Sequence, residues 1–180
     1  MENLIKVSTL REQLSNRTSG IEPKRGGVYC WWFKREAAQS LLAKLPLTQE
    51  ELAKIQEREI EDESYLALYF GISKDMLARA KWHTLQKHSP SAVKHGTLST
   101  LRQTISALLG KDMSQSEGTV NEFIDSNCYW EWEYDESYKL RETDELSSTI
   151  KCYPLNIQEN KTITKEVCKE LSKLRKQHKK

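Results

Sequence analysis

Arg79 and His83 stand four residues apart in the stretch Ser73–Thr84, a spacing that puts both on one helix face. A guanidinium clamps two oxygens of a phosphate in a fixed plane. An imidazole at that spacing contacts the phosphate or moves a proton near neutral pH. Two tyrosines precede them in short apolar runs, Tyr29 in Gly26–Phe33 and Tyr69 in Ser64–Gly71. Glu142, Asp144 and Glu145 follow, ahead of the turn Pro154-Leu155-Asn156. Carboxylate oxygens are hard ligands of the kind magnesium and manganese prefer. Hydrolysis of a phosphodiester needs an in-line water, charge neutralisation on the phosphate and a metal to stabilise the leaving oxygen.

Several elements must hold these groups together. Gly26-Gly27 opens onto Val28–Phe33, too short for a helix and rich in aromatics, which predicts a buried strand. Ser64–Gly71 predicts a second strand, with Ser73 capping a helix over 74–84. Residues 34–63 consist of helix formers broken at Pro46, and Thr48 with Glu51 forms a capping box for a helix over 49–60. This piece reads as a helical insertion between the two strands, outside the main core. Ser99 begins a helix that Gly110 stops. In Cys128–Tyr134, Trp130, Trp132 and Tyr134 alternate with Glu131 and Glu133, the pattern of a strand with one buried face. Helices are expected over 3–15, 138–151 and 162–178, with a helical turn at 120–126. In the helix over 138–151, Leu146 and Ile150 mark the buried face. The expected fold is α+β, a small, mostly antiparallel three-stranded sheet flanked by helices. It makes a single domain over 1–180, with the 34–63 insertion and a basic C-terminal helix over 161–180.

Composition narrows the class. With 37% hydrophobic and 30% charged residues, the chain reads as a soluble globular protein. No run approaches the roughly 18 apolar residues of a membrane span. The N-terminal MENLIKVSTLREQL does not read as a secretory signal. Four cysteines, none at C-x-x-C spacing, argue against a zinc site or a disulfide framework and for a cytoplasmic setting. The net charge of +2 hides an asymmetry: residues 161–180 carry eight Lys or Arg against two Glu, +6, and the rest carries −4. A basic tail on an acidic chain suits a polyanion partner.

Gly27-Val28-Tyr29 and Tyr69-Phe70-Gly71, followed by Leu77, Arg79, His83, an acidic helix and Pro154-Leu155-Asn156, resemble the GIY-YIG nuclease family. That family includes homing endonucleases, the incision subunit of bacterial excision repair and some restriction enzymes. The resemblance covers roughly 26–160 without 34–63, and STLRQTISALLG and YPLNIQEN resemble a bacterial branch of it. Two departures stand out: Phe70 replaces the usual aliphatic residue, and Tyr29 and Tyr69 lie 40 residues apart where the family keeps them close. What the resemblance implies is a DNA endonuclease using one Mg2+ or Mn2+ held by a Glu. Tyr29 would activate or position the attacking water. A free phenol, with pKa near 10, needs a helping cation to do so. Tyr69 would orient water or phosphate, and Asn156 would bond near the site and hold its turn. The metal ligand is expected at Glu145, then Asp144, then Glu142.

DNA contacts are expected from Lys94, Arg102, Lys161, Lys165, Lys169, Lys173, Arg175 and Lys176, with loop residues His88 and His95 as further phosphate contacts. Two other readings stay open: a catalytically inactive nucleic-acid-binding module of the same fold, and a protein that binds a partner through 34–63.

Overall fold

The computed structural model describes residues 3–180. Its chain runs β1 (Asn3–Lys6), α1 (Val7–Asn16), β2 (Gly27–Lys34), α2 (Arg35–Leu42), α3 (Gln49–Ala53), β3 (Glu57–Ile60), β4 (Glu63–Ser73), α4 (Met76–Leu85), α5 (Pro90–Lys94), α6 (Thr100–Leu108), a 3-10 turn at Met113–Gln115, α7 (Glu117–Asn127), β5 (Cys128–Tyr134), α8 (Tyr138–Leu146) and α9 (Lys165–Gln177).

The sheet has five strands in the order β1-β5-β2-β4-β3, every neighbouring pair antiparallel. The three central strands are the three expected from sequence. The two added ones are four-residue edge strands, NLIK and EREI, too short and too polar to show a period of two. Both interrupt helices that composition favours. The N-terminal helix starts at Val7, and the capped helix of the insertion ends at Ala53, so that segment is half helix and half β-hairpin. Its capping box is present: Thr48 Oγ accepts from Glu51 N–H, and Glu51 accepts from Thr48 N–H. The insertion is also tied into the body. Glu51 accepts from Thr164 N–H at the start of α9, and Lys54 C=O accepts from Cys152 N–H.

Two apolar clusters lie on opposite faces of the sheet. Tyr29, Trp31, Phe33, Leu66, Leu68, Tyr69 and Trp130 belong to the larger one, with α1, α2, α4, α6, α7 and α9. Val28, Cys30, Trp32, Tyr65, Ala67, Phe70 and Tyr153 face the other way. The alternation along β4 changes phase at Leu68 and Tyr69, both on the larger side. The cause is a β-bulge: Trp31 pairs with Tyr69 but Trp32 pairs with Ala67, so one residue of β4 is extra. Without the bulge, Tyr69 and Leu66, three residues apart, would face opposite sides, because strand side chains alternate.

Other boundaries shift for local reasons. Asp75, rather than Ser73, caps α4, accepting from Ala78 N–H. Ser73 Oγ folds the preceding turn by bonding Asp75 N–H and C=O. The turn expected at 120–126 is a full helix, α7. Thr164 is the N-cap residue of α9. Most consequential is α8, which ends at Leu146 and leaves Ile150 77% exposed beyond it.

Candidate active site

Each glycine of the two triplets makes room for something specific. A Cβ at Gly27 would overlap the Glu133 carbonyl of β5. A Cβ at Gly71 would lie 2.5 Å from Tyr29 Cζ and closer still to its hydroxyl. Tyr29 and Gly71 are cross-strand partners, so the phenol ring lies over the bare backbone of β4. Tyr69, two residues before Gly71 in unbroken register, lies on the same face, its ring stacked near Tyr29 with centroids 6.3 Å apart.

The Tyr29 hydroxyl hydrogen-bonds His83 Nε2 at 2.9 Å, and His83 Nδ1 meets Ser99 Oγ at 2.7 Å. His83 is buried, so it backs Tyr29 and does not reach out to a ligand. Burial, followed by the nearby Tyr69 hydroxyl, pushes the Tyr29 phenol well above its ordinary range, while Arg79 pulls it down. Burial, with Arg79 and Arg102 adding to it, holds the His83 imidazole well below its ordinary value. Both groups therefore rest neutral, and one proton is shared across the 2.9 Å bond.

One pocket of about 260 Å³ opens in front of this pair. Tyr29, Tyr69, Gly71, Arg79, Glu142 and Asn156 line it. Arg79 is half-exposed, makes no ion pair within 4 Å among the described residues, and lies 4.6 Å over the Trp82 ring. Glu142 enters from α8. Partial burial and Glu159 raise its carboxyl and Arg79 opposes them, so both charges reach it.

Asn156 has a structural role in the pocket wall. β3 pairs with β4 only as far as Leu66, which leaves the rest of that β4 edge open. Asn156 closes it as a strand would: its Oδ1 accepts from Phe70 N–H, and its Nδ2 donates to Phe70 C=O. Leu155 N–H donates to the carbonyl of the bulge residue Leu68.

Glu145 does not join the pocket. Its carboxylate takes Lys151 Nζ at 2.7 Å and the Tyr153 hydroxyl at 2.6 Å, and it does not line the pocket that Glu142 enters. Asp144 is exposed to solvent. The expected buried face of Leu146 and Ile150, which Glu145 borders, holds for Leu146, but α8 ends before Ile150. Arg102 also departs from expectation. It is 1% exposed, and donates to His88 Nε2, His83 C=O and Asn121 Oδ1, so it braces the core and cannot meet DNA. His88 is buried with it, whereas His95 is exposed. Lys94, Lys161, Lys165, Lys169, Lys173 and Lys176 are exposed, and the last four share one side of α9. Arg175 is turned inward, bonding Gln103 and acting on Tyr69. Ser99 and Trp82 were not singled out from sequence as site residues. Ser99 is legible as a helix cap, but nothing local shows that its hydroxyl also holds His83.

No group of three or more His, Cys, Asp or Glu side chains able to hold a metal occurs among the described residues. A lone carboxylate completed by water suits a hard ion that keeps most of its hydration, as magnesium does. Glu142 is the carboxylate lining the pocket that could serve as such a ligand.

No helix is long and apolar enough to cross a membrane among the described residues. Comparison with curated proteins and with solved structures gave no match. Comparison with protein families gave one: the GIY-YIG catalytic domain, over residues 27–177. The match spans the two glycine-bearing strands, the Arg79 helix, the Asn156 turn and α9, and with it this chain belongs to the GIY-YIG nuclease family.

Proposed function

We propose that this protein is a metal-dependent DNA endonuclease in which Tyr29, backed by His83, takes the proton of the attacking water. The observation that carries this reading is the 2.9 Å Tyr29–His83 hydrogen bond behind a pocket shared by Arg79 and Glu142. A phenol alone is a weak base at neutral pH. With Nδ1–H donated to Ser99, His83 Nε2 is free to accept. As water gives its proton to the Tyr29 oxygen, Tyr29 passes its own to Nε2. A bound phosphate offsets the charge of Arg79, one of the groups holding the imidazole neutral, and so raises its proton affinity as the substrate arrives.

Arg79 clamps two phosphate oxygens, and the buried Tyr69 hydroxyl orients the water against the phosphorus. Glu142 holds the Mg2+ or Mn2+ ion, which when bound neutralises charge on the leaving oxygen. Lys165, Lys169, Lys173 and Lys176, with Lys161 and Lys94, grip the flanking backbone without reading sequence.

A plasmid-nicking assay in Mg2+ or Mn2+ tests this. Arg79→Ala and Glu142→Ala are expected to abolish nicking, and Glu145→Ala to preserve it. Nicking that survives the first two substitutions refutes the site. Salt-sensitive DNA binding without nicking in either metal assigns the fold a binding role instead.

A further inference from the structure

Beside the phosphate pocket lies a second, more open trough of about 490 Å³, within the ~300–1,000 Å³ of small-ligand sites. Ile72, Arg79 and Trp82 line both. The pocket is polar, with two phenols, a carboxylate and an amide. The trough is walled by Ile72, Ala78 and two aromatic rings, Trp82 and Tyr138, with Lys74 exposed at its rim. The polar hollow suits a phosphate, and the aromatic trough next to it suits what a phosphate carries on either side, a nucleoside.

The aromatic walls are set in place before any ligand arrives. The Trp82 indole N–H donates to Thr97 C=O at 3.1 Å, and Arg79 lies over the ring. Tyr138 packs against Gly26, where a Cβ would approach its ring to 2.9 Å. Tyr138 packs against the smaller apolar cluster with Ile72, whereas Trp82 belongs to neither cluster and is partly exposed. The Trp82 ring is thus an aromatic wall beside a charged pocket that no apolar cluster of the described residues includes.

We propose that this trough binds the base next to the scissile phosphate as an unpaired base stacked on Trp82, so that the enzyme favours a splayed or single-stranded nucleotide there. This rests on the nuclease reading of the adjoining pocket. A base inside a duplex has both faces covered by its neighbours, and must leave the stack to lie against a protein ring. Stacking on an aromatic side chain is tolerant of base identity, so the preference concerns structure rather than sequence.

The test uses the full chain in EDTA, where no turnover occurs, with a 12-nucleotide strand carrying 2-aminopurine, alone and annealed to its complement. Scanning the probe along the strand is expected to find a position quenched by the wild type. Trp82→Ala should remove that quenching and weaken single-strand binding about tenfold, with under twofold change for the duplex. Trp82→Phe, which keeps a stacking ring, should restore both. Equal weakening for the two DNA forms, quenching that survives Trp82→Ala, or binding to neither form overturns the proposal. Absent nicking with these binding results intact would instead overturn the nuclease reading alone.

Discussion

Gly71→Ala tests the site through a single methyl group. The new Cβ would lie 2.5 Å from Tyr29 Cζ, where carbon atoms in contact keep about 3.5 Å or more, so the two must separate by about 1 Å. The β4 backbone is held on both edges, by β2 on one side and by the Asn156 side chain on the other. The phenol is therefore the part that moves. It has little free room, with Trp130, Tyr69 and His83 around its ring, so the shift falls on the hydroxyl and its 2.9 Å bond to His83. A displacement of about 1 Å in a reacting group costs on the order of 100-fold in rate. Overpacking costs about 1–3 kcal/mol of stability, a tolerable loss for a folded domain. Single-turnover nicking of supercoiled plasmid and thermal unfolding together read both. The expected result is a variant that still unfolds cooperatively, somewhat below wild type, and nicks about 100-fold more slowly. In a Tyr29→Phe background the same substitution should slow nicking little further, because the two act on one group. A folded Gly71→Ala protein that nicks at the wild-type rate would refute the placing of Tyr29 at the reacting centre.

Glu142 and Glu145 should separate activity from stability. Glu145→Ala strands Lys151 and the Tyr153 hydroxyl, lowering stability by about 1–3 kcal/mol while nicking persists, whereas Glu142→Ala leaves the melting temperature nearly unchanged and abolishes nicking. Equal effects of both on rate would contradict the assignment. Gly118→Ala, inside α7 with open space where its Cβ would go, should raise stability by about 0.5–1 kcal/mol in urea unfolding; a loss would show the site is not open. His88 predicts a pH dependence. Burial and Arg102 hold its imidazole down at about 4, so the folded state keeps it neutral while the unfolded chain protonates near 6.5. Its contribution is complete above pH 6.5 and lost as pH falls toward 4, which amounts to about 2 kcal/mol between pH 7 and 5. A urea midpoint that His88→Gln makes no less dependent on pH over that range would contradict this.

The parts of the site that sequence reveals are those fixed by local spacing. Arg79 and His83 follow from one helical turn, and the central strands from apolar runs next to glycines. What sequence hides is decided at long range. Arg102 has the composition of a surface residue, and only the fold shows that His88, His83 and Asn121, up to 19 residues away, absorb its donors. Glu145 borders a face that Leu146 and Ile150 mark in the sequence, but Ile150 extends that plausible helix face past the true end of α8. The edge strands β1 and β3 are written in residues without strand character. Pairing with a longer neighbour makes them strands, which no four-residue window can display.

The 40-residue gap between Tyr29 and Tyr69 changes what must hold the site in register. In a short hairpin the turn fixes which residues face each other. Here β2 and β4 are joined through α2, α3 and β3, a connection too long to impose any register. The strands must carry that information themselves. The Tyr29 ring fits only over a residue without a side chain, so it selects Gly71 as its partner. Plain alternation then puts Tyr69, two residues before Gly71, on the face that Tyr29 occupies, and Asn156 fastens the intervening Phe70 from the open edge. A slip of one residue would bring Phe70 or Ile72 beneath the phenol and turn Tyr69 to the opposite face. The glycine and the asparagine thus replace the missing turn. The insertion is free to vary in length because loop closure grows only slowly more unfavourable with length.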